Sequence, residues 1–324
     1  MGSCSAIAGM PQSKRRYAIL GTGALGGFYG AQLQQSGLEV HYLLHRDYDH
    51  VRQHGLVVES ADGDVILPEV QAHASVATMP PCDVVVVALK TTQNHLLPQW
   101  LPSVTKPDGV VLVLQNGLGV EPYVADIVGA DRVMGGLCFI CSNKVGPGHI
   151  RHLDYKKIAL GDYGPNYEAR GITERLKAIA QDFEQAGIPI DQTEDLLWAR
   201  WRKLIWNIPF NGLSVVLNAS TSEMIFDPHA RQLAIALMQE VIAVAAAYGR
   251  VLDDHYIQQN IDHTEHMKPY RTSMKIDYDE QRPLELQAIF KQPIIAAQAK
   301  QVPVPLIHML YQQLQFLDQR NQGS

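Results

Sequence analysis

The pattern of hydrophobic and polar positions changes in character partway along the chain. From residue 16 to about residue 190, short apolar runs at 17–20, 40–44, 83–89 and 110–114 alternate with helix-compatible segments. Continuous apolar runs of this length are typical of strands that are buried on both faces. Their alternation with helices predicts an α/β fold, a Rossmann-like doubly wound parallel sheet.

Local signals add detail to this first half. Residues 24–36 are compatible with a helix, and Gly37 stands where a glycine commonly ends one. Two apolar stretches, 56–58 and 65–67, flank the turn-forming residues 61–64, and this pattern predicts a β-hairpin.

From about Thr193 helical periodicity replaces the β-branched runs, so we expect a second, mainly α-helical domain. The predicted helices cover residues 196–216, 231–248, 254–266, 284–300 and 306–317. The predicted organisation is a leader (1–15), a nucleotide-binding sheet domain (16–192), a helical substrate domain (193–318) and a tail (319–324).

Composition agrees with two packed domains and excludes several classes of protein. The chain has 324 residues, 46% of them apolar, and a formal charge of -6. This is enough apolar material for two cores, and a net acidic chain has no overall attraction for nucleic acid. We expect no membrane span, because no stretch approaches about 20 apolar residues, and no secretory leader, so we expect a cytoplasmic protein.

The four cysteines fit a reducing compartment, being too few for a disulfide scaffold. Cys138 and Cys141 form a C-x-x-C pair inside an apolar segment that we interpret as a strand. Three residues apart in a strand, their side chains should point to opposite faces. We therefore interpret them as packing residues rather than a redox or metal pair, and we predict no metal site.

A glycine-rich segment, residues 21–26, follows the first predicted strand and opens the first helix. This is the context that a dinucleotide-binding G-x-G-x-x-G motif requires. Gly21 would make the tight turn, Gly23 would let the backbone approach a pyrophosphate, and Gly26 would let the helix pack on the strand. The alternative is an ordinary glycine-rich turn.

The end of the second strand bears on the choice of dinucleotide. NAD sites place an acidic residue about 20 residues after the glycine motif, to hold the ribose hydroxyls. Here Arg46 stands at that distance and would bind the 2′-phosphate of NADP, while Asp47 beside it would suit NAD. We predict NADP.

Polar residues follow two buried strands and mark one helix. Lys90 and Asn116 come directly after strands, at the sheet edge where parallel sheets bind ligands. Lys203, Asn207 and Asn211 are spaced by four and should lie along one helix face. They would line a wet cleft or form a partly exposed stripe, and Pro209, between the two asparagines, would kink or stop the helix.

Residues 270–277 look like a polar loop, and Pro283 with Glu285 suits the first turn of the following helix. Neither Ser273 nor Glu285 is identified as functional from this pattern alone. Both gain a role only from the resemblance described next.

Taken together, these residues resemble the ketopantoate reductase (2-dehydropantoate 2-reductase) family from about residue 16 to residue 317. The resemblance implies an NADP-dependent oxidoreductase with a 6-phosphogluconate-dehydrogenase-like helical domain. Its implied cofactor residues are Gly21, Gly23, Ala24, Leu25, Gly26, Arg46, Lys90 and Asn116. Its implied catalytic residues are Lys203, the acid, and Glu285, which supports it; the implied substrate-binding residues are Asn116, Asn207, Asn211 and Ser273.

The implied reaction is reduction of ketopantoate to pantoate, in pantothenate and coenzyme A biosynthesis. The chain departs from the family pattern at Pro209 and Gly212 and at residues 290–293, near the predicted substrate side. Two alternatives therefore stay open: a reductase of another 2-oxo or imino acid on the same scaffold, and a non-catalytic NADP sensor. The expected partner is a small 2-oxo acid, with a homodimer as an open assembly.

Overall fold

The computed structural model describes residues 15–267 and 271–323. The predicted leader thus lies outside the described residues except for Arg15, whose guanidinium binds Asp182 at 2.8 Å. Cys4 also lies outside them.

One sheet of ten strands occupies the first part of the chain. The strands are β1 (Arg16–Leu20), β2 (Glu39–Leu43), β3 (Leu56–Ser60), β4 (Val65–Leu67), β5 (Gln71–His73), β6 (Cys82–Val87), β7 (Thr105–Val113), β8 (Val133–Gly146), β9 (His149–Asp162) and β10 (Ile190–Gln192). Their order is β4-β3-β9-β8-β7-β6-β1-β2-β5, and β10 pairs with β9. All pairs are parallel except β3 with β4 and β8 with β9.

The predicted strands and the hairpin are confirmed. In the hairpin, Leu56 faces Leu67 across the antiparallel pair. The long β8–β9 pair extends the sheet beyond the prediction. Strand β9 escaped detection because it carries charged residues such as Arg151, Lys156 and Lys157 among its apolar ones, which obscure the period-2 signal.

Helices cover both faces of the sheet. They are α1 (Ala24–Gln35), α2 (Tyr48–His54), α3 (Leu97–Val104), α4 (Val120–Val128) and α5 (Glu174–Gln185), with short 3₁₀ segments at Val76–Thr78, Thr91–Leu96, Ala130–Arg132 and Pro165–Tyr167. The sheet is buried between two apolar clusters, one centred on α1 and α5 and the other on α3 and α4. This is the predicted Rossmann-like arrangement.

The second part of the chain is helical, as predicted. Its elements are α6 (Leu196–Val216), α7 (Thr221–Phe226), α8 (Pro228–Ala247), α9 (His255–His266), α10 (Ser273–Asp279), a π-helical turn (Gln287–Lys291), α11 (Gln292–Ala299) and α12 (Pro305–Gln322). A third apolar cluster, built mainly from α6, α8 and α12, forms its core. The division of the chain into domains at residue 192 stays a prediction.

Three local expectations were wrong. The segment expected to be a polar loop contains α10, because Thr272 caps it by accepting the backbone N–H of Lys275. The following helix begins after Glu285, at Leu286, so Glu285 is not in its first turn. Helix α6 continues through Pro209, so the expected stop at this proline does not occur, while a kink there stays a prediction.

Helix α8 corrects the expectation that no stretch approaches the length of a membrane span. Among the described residues it is the one helix long and apolar enough to cross a membrane, with a mean hydropathy of 1.4. Its Leu237, Met238 and Val241 pack inside the helical core. A core helix passes the same test, so the helix is weak evidence for a membrane.

Candidate active site

A cavity of about 1250 Å³ opens between the carboxyl edge of the sheet and the helical part of the chain. Every site residue predicted from the sequence lines it except Gly26. The lining residues among those predicted are Gly21, Gly23, Ala24, Leu25, Arg46, Lys90, Asn116, Lys203, Asn207, Asn211, Ser273 and Glu285. Residues more than 250 positions apart in the sequence thus meet at one cleft.

The three glycines of the loop have three different surroundings. Gly21 has φ +99°, and a Cβ there would lie 2.4 Å from the backbone N of Leu89. At Gly26 a Cβ would lie 2.3 Å from the carbonyl oxygen of Gly21, so only glycine lets α1 pack this closely. A Cβ at Gly23 would meet nothing within 4 Å. Gly23 therefore faces open space at the start of α1, and the N-terminal end of a helix favours an anion.

Arg46 and Asp47, the two residues that bear on the choice between NADP and NAD, differ sharply in their contacts. Arg46 is exposed at the cavity, and its guanidinium has no hydrogen bond or ion pair with any described residue. Asp47 is buried; its Oδ2 accepts the backbone N–H of Gly148 at 2.9 Å and pairs with Lys144. The carboxylate is thus occupied within the protein, while the guanidinium is free to bind a ligand.

Lys90 and Glu285 belong to one ion-pair network that crosses the cleft. The Lys90 ammonium lies 2.7 Å from Asp277 Oδ2 and 3.3 Å from Glu285 Oε2. The other oxygen of Glu285 accepts hydrogen bonds from the backbone N–H and the hydroxyl of Thr91, at 2.8 and 3.0 Å. The two carboxylates raise the pKa of Lys90 against the opposing effect of burial, which is the largest single influence.

Lys203 lies elsewhere in the cavity, half-buried on the largely buried helix α6. Its ammonium donates to the carbonyl oxygen of Cys138 at 3.0 Å and lies 4.2 Å from the centre of the Phe139 ring. Burial lowers the pKa of Lys203 to about 8. Glu285 contacts Lys90 and Thr91 rather than Lys203, so the support for Lys203 implied by the resemblance has no direct contact in this structure.

The amides stack beside Lys203 as their spacing predicted. Asn207 donates to the side-chain oxygen of Asn116 at 3.4 Å, which links α6 to the end of β7. Asn211 is buried, and its Oδ1 has no hydrogen-bond partner. An unpaired buried amide oxygen beside a cavity is a free acceptor for a ligand hydroxyl. Ser273 also lines the cavity, partly buried at the start of α10, next to Thr272, whose hydroxyl lies 2.8 Å from that of Ser214 on α6.

The cysteines also border the cavity, although not as expected. The β8–β9 register shifts between Ile140 and Cys141, so strict alternation of side chains is interrupted between the two cysteines. Both line the cavity. Burial raises the pKa of Cys138 to about 12 and that of Cys141 to about 11, so both are thiols at neutral pH. No group of three or more metal-ligand side chains occurs in residues 15–267 and 271–323.

Several residues of the site were missed from the sequence. Thr91, Asp277, Phe139 and Lys144 contact the predicted residues directly. Thr91 had a weak signal, because it follows Lys90 at the strand end. The other three acquire a role only through partners far away in the sequence.

Two family models match the chain. The model described as ketopantoate reductase PanE/ApbA matches residues 17–165, and the model for the C-terminal part of the same family matches residues 195–318. Together they span most of both parts of the structure.

Individual relatives agree with the family models. The chain is 60% identical over 309 residues to 2-dehydropantoate 2-reductase of Nostoc sp., covering 95% of this chain and 97% of the relative. It resembles the crystal structure of 2-dehydropantoate 2-reductase from Geobacter metallireducens GS-15 with a TM-score of 0.90 and 40% identity, over 93% and 99% of the two chains. The corresponding structure from Methylococcus capsulatus gives 0.85 and 32%, over 95% and 98%.

The glycine loop, the polar face of α6 and the strand-end residues thus meet in a fold shared with solved ketopantoate reductases. The chain belongs to the ketopantoate reductase family.

Proposed function

We propose that this oxidoreductase catalyses the NADPH-dependent reduction of 2-dehydropantoate to pantoate, a step of pantothenate and coenzyme A biosynthesis. Family membership supports a 2-dehydropantoate 2-reductase, and ketopantoate reductases use a nicotinamide cofactor. The observation that carries the proposal is the position of Lys203. Its ammonium, with a pKa of about 8, lies in the same cavity as the glycine loop and three amide side chains.

Bound NADPH would supply hydride to the 2-oxo carbon. As the carbonyl carbon accepts hydride, negative charge grows on its oxygen, and a nearby acid stabilises that charge and delivers a proton. Lys203 is suited to this task because a pKa of about 8 leaves it mostly protonated at neutral pH and still able to release its proton. Its Cys138 and Phe139 contacts keep the ammonium at the cavity wall.

The remaining polar groups would orient the substrate. The free Oδ1 of Asn211 would accept a hydrogen bond from the substrate hydroxyl, Asn207 Nδ2 would donate to a substrate oxygen, and Ser273 would bind the carboxylate. Glu285 is held by Lys90 and Thr91. We therefore expect the cleft to close on binding before Glu285 supports Lys203 and the substrate hydroxyl.

NADP is proposed over NAD because the contacts at the end of β2 favour it. The exposed guanidinium of Arg46 is free to bind a 2′-phosphate bidentately. Asp47, the residue that would serve NAD, is buried and already paired.

The departures from the family pattern give no reason to prefer another substrate. Neither Pro209, Gly212 nor residues 290–293 line the cavity. Phe290 is fully buried, and a Cβ at Gly212 would lie 3.0 Å from its ring. Pro209, Gly212, Phe290 and Pro293 are buried, whereas Lys291 and Gln292 lie at or near the surface. The alternatives are a reductase of another 2-oxo or imino acid and a non-catalytic sensor. An assay of NADPH absorbance separates them. A cytoplasmic location and a homodimer stay predictions from the sequence.

The test follows NADPH absorbance with 2-dehydropantoate and with a panel of other 2-oxo acids and imines. We expect turnover with 2-dehydropantoate and a loss of roughly 10²-fold or more in kcat for Lys203→Ala, typical of a lost general acid. Lys106→Ala, which removes a surface lysine paired with Asp83 outside the cavity, is the matched control and should turn over normally. Turnover of another substrate alone, or binding without turnover, would overturn the proposal.

A further inference from the structure

We propose that Lys144 is a second cation for the 2′-phosphate and that its ion pair with Asp47 sets the preference for NADP over NAD. This inference deepens the proposed function and rests on its choice of cofactor. It concerns a residue at the end of β8, about 100 positions away from the segment that follows β2.

Asp47 lies at the position that commonly determines whether a dinucleotide site binds NAD or NADP. A carboxylate at the end of the second strand holds the ribose hydroxyls of NAD when it is free to accept their hydrogen bonds. Here Oδ2 of Asp47 already accepts the Gly148 N–H and faces the Lys144 ammonium. The charge of the carboxylate is offset, and one of its two oxygens is committed to the β8–β9 turn. Asp47 therefore contributes little to the binding of NAD.

Lys144 has a second consequence for the ligand. Its side chain is 34% exposed and lines the same cavity as Arg46 and Gly23. Arg46, Lys144 and Asp47 together carry a net charge of +1 at this end of the cavity, since two cations face one carboxylate. A phosphomonoester carries about -1.5 to -2 at neutral pH, whereas a ribose hydroxyl carries none. The local charge therefore discriminates between the two cofactors.

A purely structural role for Lys144 makes a different prediction. If the ion pair only ties the β8–β9 turn to the start of α2, losing it should weaken both dinucleotides equally or lower stability alone. If Lys144 binds the phosphate, losing it should weaken NADP⁺ and spare NAD⁺. The ratio of the two affinities separates these roles.

The experiment measures the dissociation constants of NADP⁺ and NAD⁺ by calorimetry for wild type, Lys144→Met, Lys144→Arg and the control Lys106→Met. Lys106 forms a comparable ion pair with Asp83 outside the cavity. Lys144→Met should weaken NADP⁺ by roughly tenfold or more, the worth of a charge-assisted contact, and leave NAD⁺ within about twofold. Lys144→Arg should restore the preference, and Lys106→Met should change neither constant.

Each other outcome has a defined meaning. An unchanged NADP⁺ to NAD⁺ ratio in Lys144→Met, or an equal loss of both, overturns the inference, and so does a wild type that binds both equally. Thermal unfolding of each variant identifies one that fails to fold. If Lys144→Met fails to fold, the comparison of Lys144→Arg with Lys144→Gln tests the inference instead. Failure to reduce 2-dehydropantoate would overturn the proposed function but leave a shifted binding ratio, and with it the inference, intact.

Discussion

The guanidinium of Arg200 on α6 pairs with the carboxylate of Glu121 on α4, and both side chains are completely enclosed. Arg200 is 2% exposed and Glu121 0%, and Arg200 Nε donates to Glu121 Oε1 at 2.8 Å. Another guanidinium nitrogen donates to the carbonyl oxygen of Gln115 at 2.6 Å, next to Asn116. The pair thus fixes the helix that carries Lys203 against the strand end that carries Asn116.

Removing one partner of this buried pair should strongly destabilise the protein. Glu121→Ala leaves an unpaired guanidinium in the interior, and we expect a loss of about 3–5 kcal/mol in the free energy of unfolding. Denaturant unfolding measures it. Lys177→Ala, which breaks the exposed ion pair with Glu174, should cost less than about 0.5 kcal/mol. Equal effects in the two variants would contradict the role assigned to the buried pair.

The lowered pKa of Lys203 predicts how turnover depends on pH. Reduction needs the ammonium form, so kcat should be flat below about pH 8 and fall about tenfold per pH unit above it. A pH–rate profile with saturating cofactor and substrate measures this. Lys203→Gln should be slow and should lack the break, whereas Lys106→Met should keep it. If the break near pH 8 persists in Lys203→Gln, the pH dependence of kcat belongs to another group.

The same pKa predicts that Lys203 destabilises the folded protein at neutral pH. Its pKa is about 8 in the folded state against the ordinary 10.5, so the folded protein disfavours the charged form. The cost is fully present below pH 8 and disappears as pH rises from 8 to 10.5. Lys203→Met should therefore unfold at a higher temperature than wild type at pH 7, by a margin that shrinks over that range. Arg202→Met, a neighbouring partly buried cation, should not reproduce this pH dependence.

How well the sequence predicts each part of the site depends on how far apart in the sequence the interacting residues lie. The spacing of Lys203, Asn207 and Asn211 depends only on helix geometry, and the structure places all three along one cavity wall. Asp277 is 187 residues from Lys90 in the sequence, so no local pattern reveals their contact. Helix α10 is short and set by one capping threonine, Thr272, which a reading for hydrophobic periodicity overlooks.

The glycine loop offers two glycine-to-alanine substitutions that should affect different properties, stability in one case and dinucleotide binding in the other. Gly26→Ala places a methyl group 2.3 Å from the carbonyl oxygen of Gly21 and 2.8 Å from Ile19 Cγ2. It should lower the free energy of unfolding by about 1–3 kcal/mol through overpacking. Gly23→Ala meets nothing within 4 Å and should change stability by less than about 0.5 kcal/mol, while it weakens dinucleotide binding. Thermal unfolding and NADP⁺ titration of both variants measure the two effects. Normal NADP⁺ affinity in Gly23→Ala would show that the open space is not a phosphate site.

A histidine pair at the edge of the sheet predicts a loss of stability on acidification. His41 Nδ1 lies 2.9 Å from His73 Nε2, and the other ring nitrogen of His41 lies 2.9 Å from Glu39 Oε1. Burial, and secondly the proximity of His41, lowers the pKa of His73 below its usual 6.5. The folded protein therefore binds this proton less readily than the unfolded chain, and its stability should fall as pH drops below 6.5.

The test compares urea unfolding at pH 7.5 and pH 5.5. His73→Gln keeps a polar partner for His41 but cannot be charged, so the decline between the two pH values should be smaller than in wild type. His308→Gln removes an exposed histidine on α12 and should leave the decline unchanged. Because β5 lies beside β2, which leads to Arg46, opening of this edge would also loosen the predicted phosphate site. We therefore expect NADP⁺ affinity to weaken with the same pH dependence in wild type and less in His73→Gln; an identical acid decline in both proteins would exclude the pair as its origin.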